Sequence, residues 1–412
     1  MNKNIKLAVA GAVLALSATA ANAGIVIPAG DWTLDINGNV NAYATNVRNS
    51  GNASGTAIAG HGFGFYGEDA RGQKRNQGIG TGLLPSWIGF TGKTRQNDLD
   101  VEFTISLQPG VSANDVSGDG AFAGTGSKFL NRQTYVSFGD KSWGSIKLGK
   151  DLGVFASDAI LNDMTLLGVG SAGGTSGNST NTTNGGIGTG YIYAAWKGQV
   201  AYTTPNMNGF QATVALMNPN QWGNDTLDGL ELKQDRYGYE GKASYSFAAN
   251  DVTGKVWVSG ASYDVTPAVG YKGYTARVAD IGANVNAGGF GLTGYYYSGE
   301  GVGTTLLGLY GANSSTGKKR DSDGGYVQAT YILPTKTKVG VAYGVSNLDK
   351  ASGETVSNLV DSSRRYTVGA YHPLTKHLNL VAEYNDLKSE AHSSSIEDQK
   401  AKSVSLGAIL FF

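Results

Sequence analysis

The feature that most constrains the fold is an alternation of apolar and polar side chains that recurs along the chain. In DLDVEFTISLQ (98–108), every second residue is apolar and the residues between them are polar. The apolar set is Leu99, Val101, Phe103, Ile105 and Leu107, and the polar set is Asp100, Glu102, Thr104, Ser106 and Gln108. A period of two residues is that of a β-strand with one apolar face and one polar face.

Three further segments show the same period. They are LDINGNVNAYAT (34–45), YGYEGKASYSF (237–247) and TKVGVAYGVSN (337–347), with Tyr43 the one exception in the first of them. Each segment is about ten residues long, which suffices for a tilted strand to cross the apolar band of an outer membrane. The alternation therefore predicts strands with one face in hydrocarbon and one face in water.

The composition supports a membrane location for these strands. Charged residues make up 16% of the chain, against roughly 25% in soluble globular domains. No run of 18 or more apolar residues occurs, so a spanning helix is not predicted. Because only helices and closed barrels satisfy the backbone inside lipid, the prediction is an all-β, transmembrane antiparallel β-barrel.

The first 23 residues have the pattern of a secretory signal peptide. Lys3 and Lys6 precede an apolar stretch from Leu7 to Leu16, and Ala21-Asn22-Ala23 forms a small-x-small cleavage site. A retained anchor helix is the less favoured alternative, since the apolar stretch is short for a membrane span. We expect a signal peptide over 1–23 and one barrel domain over 24–412.

Charge and cysteine usage exclude other classes of protein. The chain has 32 basic and 32 acidic residues and no cysteine. A balanced charge gives no field that would attract nucleic acid, so no nucleic-acid partner is expected. An exported chain without cysteine is held together without disulfides.

The spacing of turns and loops predicts the number of strands. Seven short turns are predicted at 92–98, 139–142, 205–209, 248–251, 287–289, 334–336 and 372–377. Eight long polar stretches lie near 48–85, 110–130, 151–190, 218–236, 264–274, 300–323, 348–363 and 388–400. Short turns on one side and long loops on the other indicate a barrel of about 16 strands, with 14 or 18 as alternatives.

No motif indicates an enzyme, a metal or a cofactor. GFGFYG (62–67) matches G-x-G-x-x-G without a surrounding strand–turn–helix unit, and DVSGDG (115–120) lacks the final glutamate of a calcium loop. G-x-S-x-G is absent. Four histidines are scattered without carboxylates spaced to share a metal: His61, His372, His377 and His392. We therefore predict no enzymatic activity, metal or cofactor.

Charged residues within the predicted strands indicate a water-filled interior. By alternation they fall on the polar face: Glu102, Lys147, Lys242, Lys255, Lys338 and Glu383. A charge facing lipid at the midplane would cost about 2–4 kcal/mol, so these side chains should line the lumen. A barrel of this size is too wide for side chains to fill, and hydrophilic solutes could diffuse through it.

With these features, three stretches of the sequence resemble the general diffusion porins of Gram-negative bacteria. NRQTYVSFGDKSWGSIKLGKDLGVFASDAILNDM (131–164) looks like that family's fourth and fifth strands followed by an inward-folded third loop. VAYTTPNMNGF (200–210) and SVSLGAILFF (403–412) look like a family strand–turn segment and the last strand. The resemblance implies a homotrimer of 16-stranded barrels in the outer membrane, through which small hydrophilic solutes and ions diffuse passively.

The resemblance also assigns residues to the pore constriction. Arg132 matches a basic position on strand four, although by alternation it shares the apolar face of its strand, and Asp158 and Asp163 match acidic positions of the third loop. Elsewhere the chain departs from the family pattern. Asn39 and Trp87 stand where the family has a lysine and an arginine, Lys197 lies near a lost arginine, and LLGVGSAGG (166–174) lacks the usual carboxylates. We therefore expect weak ion selectivity. The residues predicted to line the constriction or lumen are Trp87, Glu102, Arg132, Lys147, Lys150, Asp158, Asp163, Lys197 and Glu383.

The last predicted strand, KSVSLGAILFF (402–412), should close the barrel against the first, WTLDINGNVNAYAT (32–45). Alternation places one set of its residues against lipid: Val404, Leu406, Ala408, Leu410 and Phe412. Ile409 and Phe411 break the polar set, and we interpret them as packing near the turn end of the barrel. The resemblance further implies that Phe412, with Leu410, is the signal read by the barrel-assembly machinery.

Two other functions remain open from the sequence. One is a substrate-selective channel, which aromatic residues along the lumen would favour. The other is a non-conducting structural or adhesive barrel whose work is done by its long loops.

Overall fold

A computed structural model describes residues 24–51, 57–60, 74–110, 130–172, 182–218, 226–227, 230–233, 236–267, 273–313 and 316–412. The predicted signal peptide, GFGFYG, DVSGDG and His61 lie outside these residues. None of the helices in the described ranges is long and apolar enough to cross a membrane.

Most of the described residues form β-strands. The strands are β1 (Ile25–Ala29), β2 (Trp32–Ser50), β3 (Arg75–Gly80), β4 (Trp87–Gln96), β5 (Leu99–Gln108), β6 (Leu130–Asp140), β7 (Gly144–Leu152), β8 (Trp196–Thr203), β9 (Phe210–Met217), β10 (Thr226–Leu227), β11 (Leu230–Lys233), β12 (Gly238–Ala249), β13 (Val252–Pro267), β14 (Tyr274–Ala287), β15 (Phe290–Glu300), β16 (Asp321–Ile332), β17 (Lys338–Leu348), β18 (Val360–Pro373), β19 (Leu378–Ala391) and β20 (Gln399–Phe411). The helical segments are α1 (Ser157–Asn162) and a 3-10 turn over Met164–Leu167.

Neighbouring strands of the barrel pair antiparallel, with β4 beside β2 and β12 beside β9, and the sheet closes on itself. β20 pairs with β19 on one edge and with β2 on the other, where Ala42 lies opposite Ala408 and Val40 opposite Leu410. β3 and β4 together make one barrel strand, and the short strands β1, β10 and β11 pair only at the margins of the sheet, so the 20 strands form the closed barrel of 16 that the spacing predicted. Because the barrel is closed, neither its first nor its last strand has an unpaired edge along this seam.

The second strand of the barrel, formed by β3 and β4, differs from its prediction. Residues 75–80 lie inside a stretch predicted as loop, yet they form β3 beside the loop end of β2. Pro85, which has no N–H to donate, interrupts the ladder before β4 resumes beside the turn end of β2. The Asn39 and Asn41 side chains bond the carbonyls of Pro85 and Leu84 at 3.0 and 2.9 Å, so amide side chains replace the missing backbone bonds.

The alternation of side chains maps onto the two faces of the wall. Apolar residues of the last strand are exposed on the outside, with Val404 50% and Leu406 57% accessible, whereas Ser403 and Ser405 are buried. Ile409 and Phe411 are buried in a cluster with Tyr43 and Met164, as their interpretation as packing residues requires. The lipid-facing and interior faces were therefore predicted correctly for this strand.

Candidate functional site: the lumen and its inward loops

We call residues 153–195, the segment between β7 and β8, loop L3, and its described parts occupy the interior of the barrel. Its described parts, 153–172 and 182–195, include α1 and the 3-10 turn. Phe155, Ala159, Val169 and Tyr191 of this loop are fully buried. L3 therefore lies inside the barrel, as the resemblance implied, and narrows its lumen.

Glu240 on β12 holds the start of L3. Its Oε2 accepts hydrogen bonds from the N–H groups of Val154 and Phe155 at 2.7 and 2.9 Å. Its other oxygen forms an ion pair with Lys197 of β8, and both side chains are buried. Lys197 thus lies inside the barrel, where its charge is balanced by a carboxylate of the wall.

Glu383 on β19 holds a later part of L3 in the same way. Its Oε2 accepts hydrogen bonds from the N–H groups of Val169 and Gly170 at 2.9 and 2.8 Å. Its Oε1 accepts a hydrogen bond from the Tyr371 hydroxyl at 2.6 Å. Two wall carboxylates therefore clamp L3 on either side of its helical segments.

Asp158 in α1 faces two lysines of the wall. Its carboxylate lies 2.9 Å from Nζ of Lys242 and also forms an ion pair with Lys255. Burial acts to raise the pKa of Asp158, but the two ammonium groups outweigh burial and lower that pKa below its ordinary value. Asp158 is therefore ionised at neutral and mildly acidic pH.

Asp163 connects the helical part of L3 to another wall cation. Its Oδ2 lies 3.4 Å from Nη2 of Arg365 and accepts a hydrogen bond from the Tyr191 hydroxyl at 2.8 Å. Its Oδ1 accepts a hydrogen bond from the N–H of Thr165, which caps the 3-10 turn. Asp163 and Arg365 are both buried, so this ion pair belongs to the packed interface between loop and wall.

An irregularity in the pairing of β5 with β6 sets the position of the Arg132 side chain. Gln133 lies opposite Ser106 and Asn131 opposite Leu107, so Arg132 is the extra residue of a β-bulge. A bulge re-aims the side chain at its position. The guanidinium stacks between the indole rings of Trp87 and Trp196, 4.9 and 4.3 Å from their centroids. The structure thus brings together two residues predicted for the constriction, Trp87 and Arg132.

Other predicted lumen residues form a network across β5, β6 and β7. The Tyr135 hydroxyl donates to Glu102 at 2.9 Å, and its ring lies under the ammonium group of Lys147. Lys147 forms an ion pair with Asp151. Lys150, also predicted for the lumen, lies instead on the opposite face of β7 from Lys147 and Asp151, opposite the exposed Thr134, and donates to the carbonyl of Asn131 at 2.7 Å. These charges are therefore held by neighbouring wall residues.

A second loop folds onto L3. Residues 301–320, which we call loop L6, bury Val302 and Thr305, and the Thr305 carbonyl accepts a hydrogen bond from the N–H of Tyr193 in L3 at 2.8 Å. At its far end Arg320 forms a buried, two-point ion pair with Glu354, at 3.0 and 2.6 Å. The family resemblance had implied an inward fold for the third loop only.

Sequence reasoning also missed partners of the predicted site residues. Glu240, Asp151 and Arg365 each pair with a residue that was predicted. Glu240 lies on the polar face of its strand with Lys242, and this position was the sequence signal that could have identified it as an interior residue. Arg365 shares the polar set of its strand with Thr367, whereas Arg364 shares the apolar set with Tyr366 and Val368, so alternation was the available signal here too.

In the described ranges, side chains that could ligate a metal ion do not lie close enough together to form a site. No group of three or more His, Asp or Glu side chains there could hold a metal ion.

A closed β-barrel with an apolar exterior, a polar interior and loops folded into its lumen defines a membrane channel. The profile of the Gram-negative porin family matches residues 8–392, and the chain belongs to that family. It is an outer-membrane channel for passive diffusion of small hydrophilic solutes. No curated protein matches the sequence significantly.

Solved structures of outer-membrane proteins share the fold at low sequence identity. The outer-membrane channel DcaP of Acinetobacter baumannii has a TM-score of 0.69 and 16% identity, covering 95% of this chain and 100% of that one. The anion-selective porin from Comamonas acidovorans has a TM-score of 0.59 and 15% identity, covering 92% and 100%. OmpT of Vibrio cholerae in its trimer form has a TM-score of 0.56 and 13% identity, covering 92% and 99%.

Proposed function

We propose that this porin is a general diffusion channel of weak ion selectivity, acts as a homotrimer and has no enzymatic activity. The observation that carries the proposal is the direct contact between the acidic residues of L3 and the basic residues of the wall. Asp158 touches Lys242 and Lys255, and Asp163 touches Arg365. Opposite charges in contact cancel at a distance, so they produce a smaller field across the lumen than charges on opposite sides of it would.

The departures from the family pattern support the same conclusion. Asn39 and Trp87 contribute no charge at positions where the resemblance expects bases, and residues 166–172 of L3 carry no carboxylate. Lys197, the remaining base near a family arginine, is neutralised by Glu240. Few of the charges that were predicted for the pore constriction therefore face the solutes.

Reversal potentials across a planar bilayer with a salt gradient test the selectivity. We expect a value near zero in a KCl gradient, because neither ion should be preferred. A potential that approaches the limit for a single permeant ion would refute weak selectivity. A protein that inserts but never opens would instead support the non-conducting alternative.

The homotrimer is proposed from the family resemblance and from the trimer form described for OmpT of Vibrio cholerae. Light scattering of the detergent-solubilised protein, corrected for bound detergent, tests it. A mass of one chain under conditions that preserve the barrel would contradict the proposal.

One observation favours a substrate-selective channel as the second candidate. The stack of Trp87, Arg132 and Trp196 places a cation between two aromatic rings, an arrangement that could hold a planar or anionic solute. Concentration-dependent block of single-channel current by such a solute, abolished in Trp87→Ala, would support this candidate. Absence of block across a series of sugars and carboxylates would leave general diffusion.

A further inference from the structure

The first part of loop L6, residues 301–313, differs in composition and burial from an ordinary surface loop. Its sequence, GVGTTLLGLYGAN, contains no charged residue. Ten of these thirteen residues are buried, and Leu306, Leu309 and Tyr310 are half-buried. Connecting segments usually run over the protein surface and are polar there. This segment therefore has the composition of a loop that packs inside the barrel.

L6 packs against the inner face of the barrel wall. Val302 and Leu307 belong to the same buried apolar cluster as Tyr297 on β15. Tyr297 is fully buried, whereas Tyr296 beside it is 51% exposed, so the Tyr297 side chain points into the barrel. L6 thus covers part of the inner wall and takes up part of the cross-section of the lumen.

L6 and the helical part of L3 lie at different depths in the barrel. On β16, the Ser322 hydroxyl donates a hydrogen bond to the carbonyl of Gly303 in L6 at 2.8 Å. Six residues further toward the turn end of the same strand, the Gln328 side chain accepts a hydrogen bond from the N–H of Met164 in L3 at 2.9 Å. Both wall side chains are buried, and six residues of a strand span about 20 Å. The two loops therefore narrow the lumen one after the other.

Contacts with other loops fix the position of L6. Tyr310 has a backbone φ of 56°, in the left-handed region that a bulky residue rarely adopts. Nη1 of Arg320 donates a hydrogen bond to the Tyr310 carbonyl at 2.9 Å. Gly60 of the first loop lies so close that a Cβ there would be 3.2 Å from the Tyr310 ring. A strained backbone persists only where the surrounding structure holds it, so L6 is a fixed part of the lumen.

We propose that residues 301–313 of L6 are a second size filter of the channel, in series with L3. The long loops of such barrels are extracellular, so a solute that enters from outside meets L6 before the helical part of L3. Because this segment carries no charge, it selects solutes by cross-section and not by the sign of their charge. L3, which carries Asp158 and Asp163, lies deeper in the channel.

The test uses two variants of the full-length protein and one control. The first variant lacks Thr304–Leu307; the Gly308 N–H donates to the Val302 carbonyl at 2.9 Å, so the chain can close there. The second, Leu307→Asp, places a carboxylate in the apolar cluster and should drive L6 off the wall. Val356→Asp is the control, since it makes the same change at a residue that is 40% exposed between β17 and β18. Swelling of proteoliposomes in neutral sugars of increasing size measures the size limit, and planar bilayers give conductance and reversal potential.

We expect both L6 variants to admit larger sugars and to have a higher single-channel conductance, with an unchanged reversal potential in a KCl gradient. Val356→Asp should behave like the unmodified protein. Leu307→Asp keeps the full length of the loop and decides the question if the deletion impairs assembly. An unchanged size limit in the L6 variants would overturn the proposal. A larger limit accompanied by a shifted reversal potential would also overturn it, because the charges of L3 would then have moved and L6 would only support that loop.

Discussion

The carboxylate of Glu383 accepts a hydrogen bond from the backbone N–H of Val169 at 2.9 Å, which ties the barrel wall to a loop 214 residues away in sequence. The same oxygen accepts the N–H of Gly170. A buried N–H without an acceptor costs about 1–3 kcal/mol, so this carboxylate fixes where L3 lies in the lumen.

The variant Glu383→Gln should loosen this part of L3. An amide has one oxygen in place of two, and its NH₂ group would face either the N–H groups of L3 or the Tyr371 hydroxyl. We expect increased open-channel current noise in single-channel recordings. Glu390→Gln on the same strand is the control, because Glu390 is half-exposed on the outer face. Identical noise in the two variants would mean that Glu383 does not restrain the loop.

The variant Asp158→Asn should shift ion selectivity toward anions. Lys242 and Lys255 would lose their shared carboxylate, and two positive charges would then act on the lumen. The reversal potential in a KCl gradient should move in the direction of chloride permeation. Asp386→Asn removes a carboxylate from the outer face and should leave the potential unchanged. A shift of the same size in both variants would argue against a local effect in the lumen.

The ion pair between Arg320 and Glu354 should hold L6 in place down to very low pH. Burial opposes ionisation, but hydrogen bonds from Arg320, the Ala351 N–H and Asn313 lower the pKa of Glu354 to about 2. A carboxyl whose pKa is lowered on folding stabilises the fold fully above its unfolded pKa, and this stabilisation is lost as the pH falls through the folded pKa. Hydrogen exchange of residues 301–313, corrected for intrinsic rates, should therefore remain slow from pH 7 to pH 4.

The variant Glu354→Gln tests the same ion pair at neutral pH. Breaking a buried pair by removing one partner costs about 3–5 kcal/mol, because an uncompensated charge remains. Exchange in 301–313 should become faster at pH 7, while exchange in the barrel strands should not change. Protection lost already between pH 5 and pH 4 in the unmodified protein would contradict the assignment of Glu354 as the holding group.

Removal of Phe412 should reduce assembly more than it reduces conductance. Its backbone N–H and carbonyl bond Gly38 at 3.1 and 2.8 Å, which extends the closing seam beyond β20. We expect less protein in the outer membrane by heat-modifiability assays, with normal conductance of the channels that do assemble. Phe412→Tyr, which keeps an aromatic ring, should assemble nearly as well as the unmodified chain. Normal membrane levels of the truncated protein would refute an assembly role for this residue.

The amino-acid sequence determined the architecture of this porin. Alternation with a period of two, few charges and turns of unequal length leave a closed barrel as the solution, because lipid cannot satisfy a backbone with free edges. Even Ile409 and Phe411, which break the polar set of the last strand, could be interpreted as packing residues. Each of these inferences depends on neighbours in sequence, and such local relationships are visible without a structure.

Only the tertiary structure decided what the interior charges do. Arg132 turns away from the face that alternation gives it because a bulge inserts one residue, and a bulge depends on the pairing of two strands. Alternation places Arg365 on the interior face of its strand, but only the fold shows that its partner is Asp163 of L3. Whether a charge faces solutes or holds a loop depends on which distant residue meets it, and that is set by how L3 and L6 fold into the barrel.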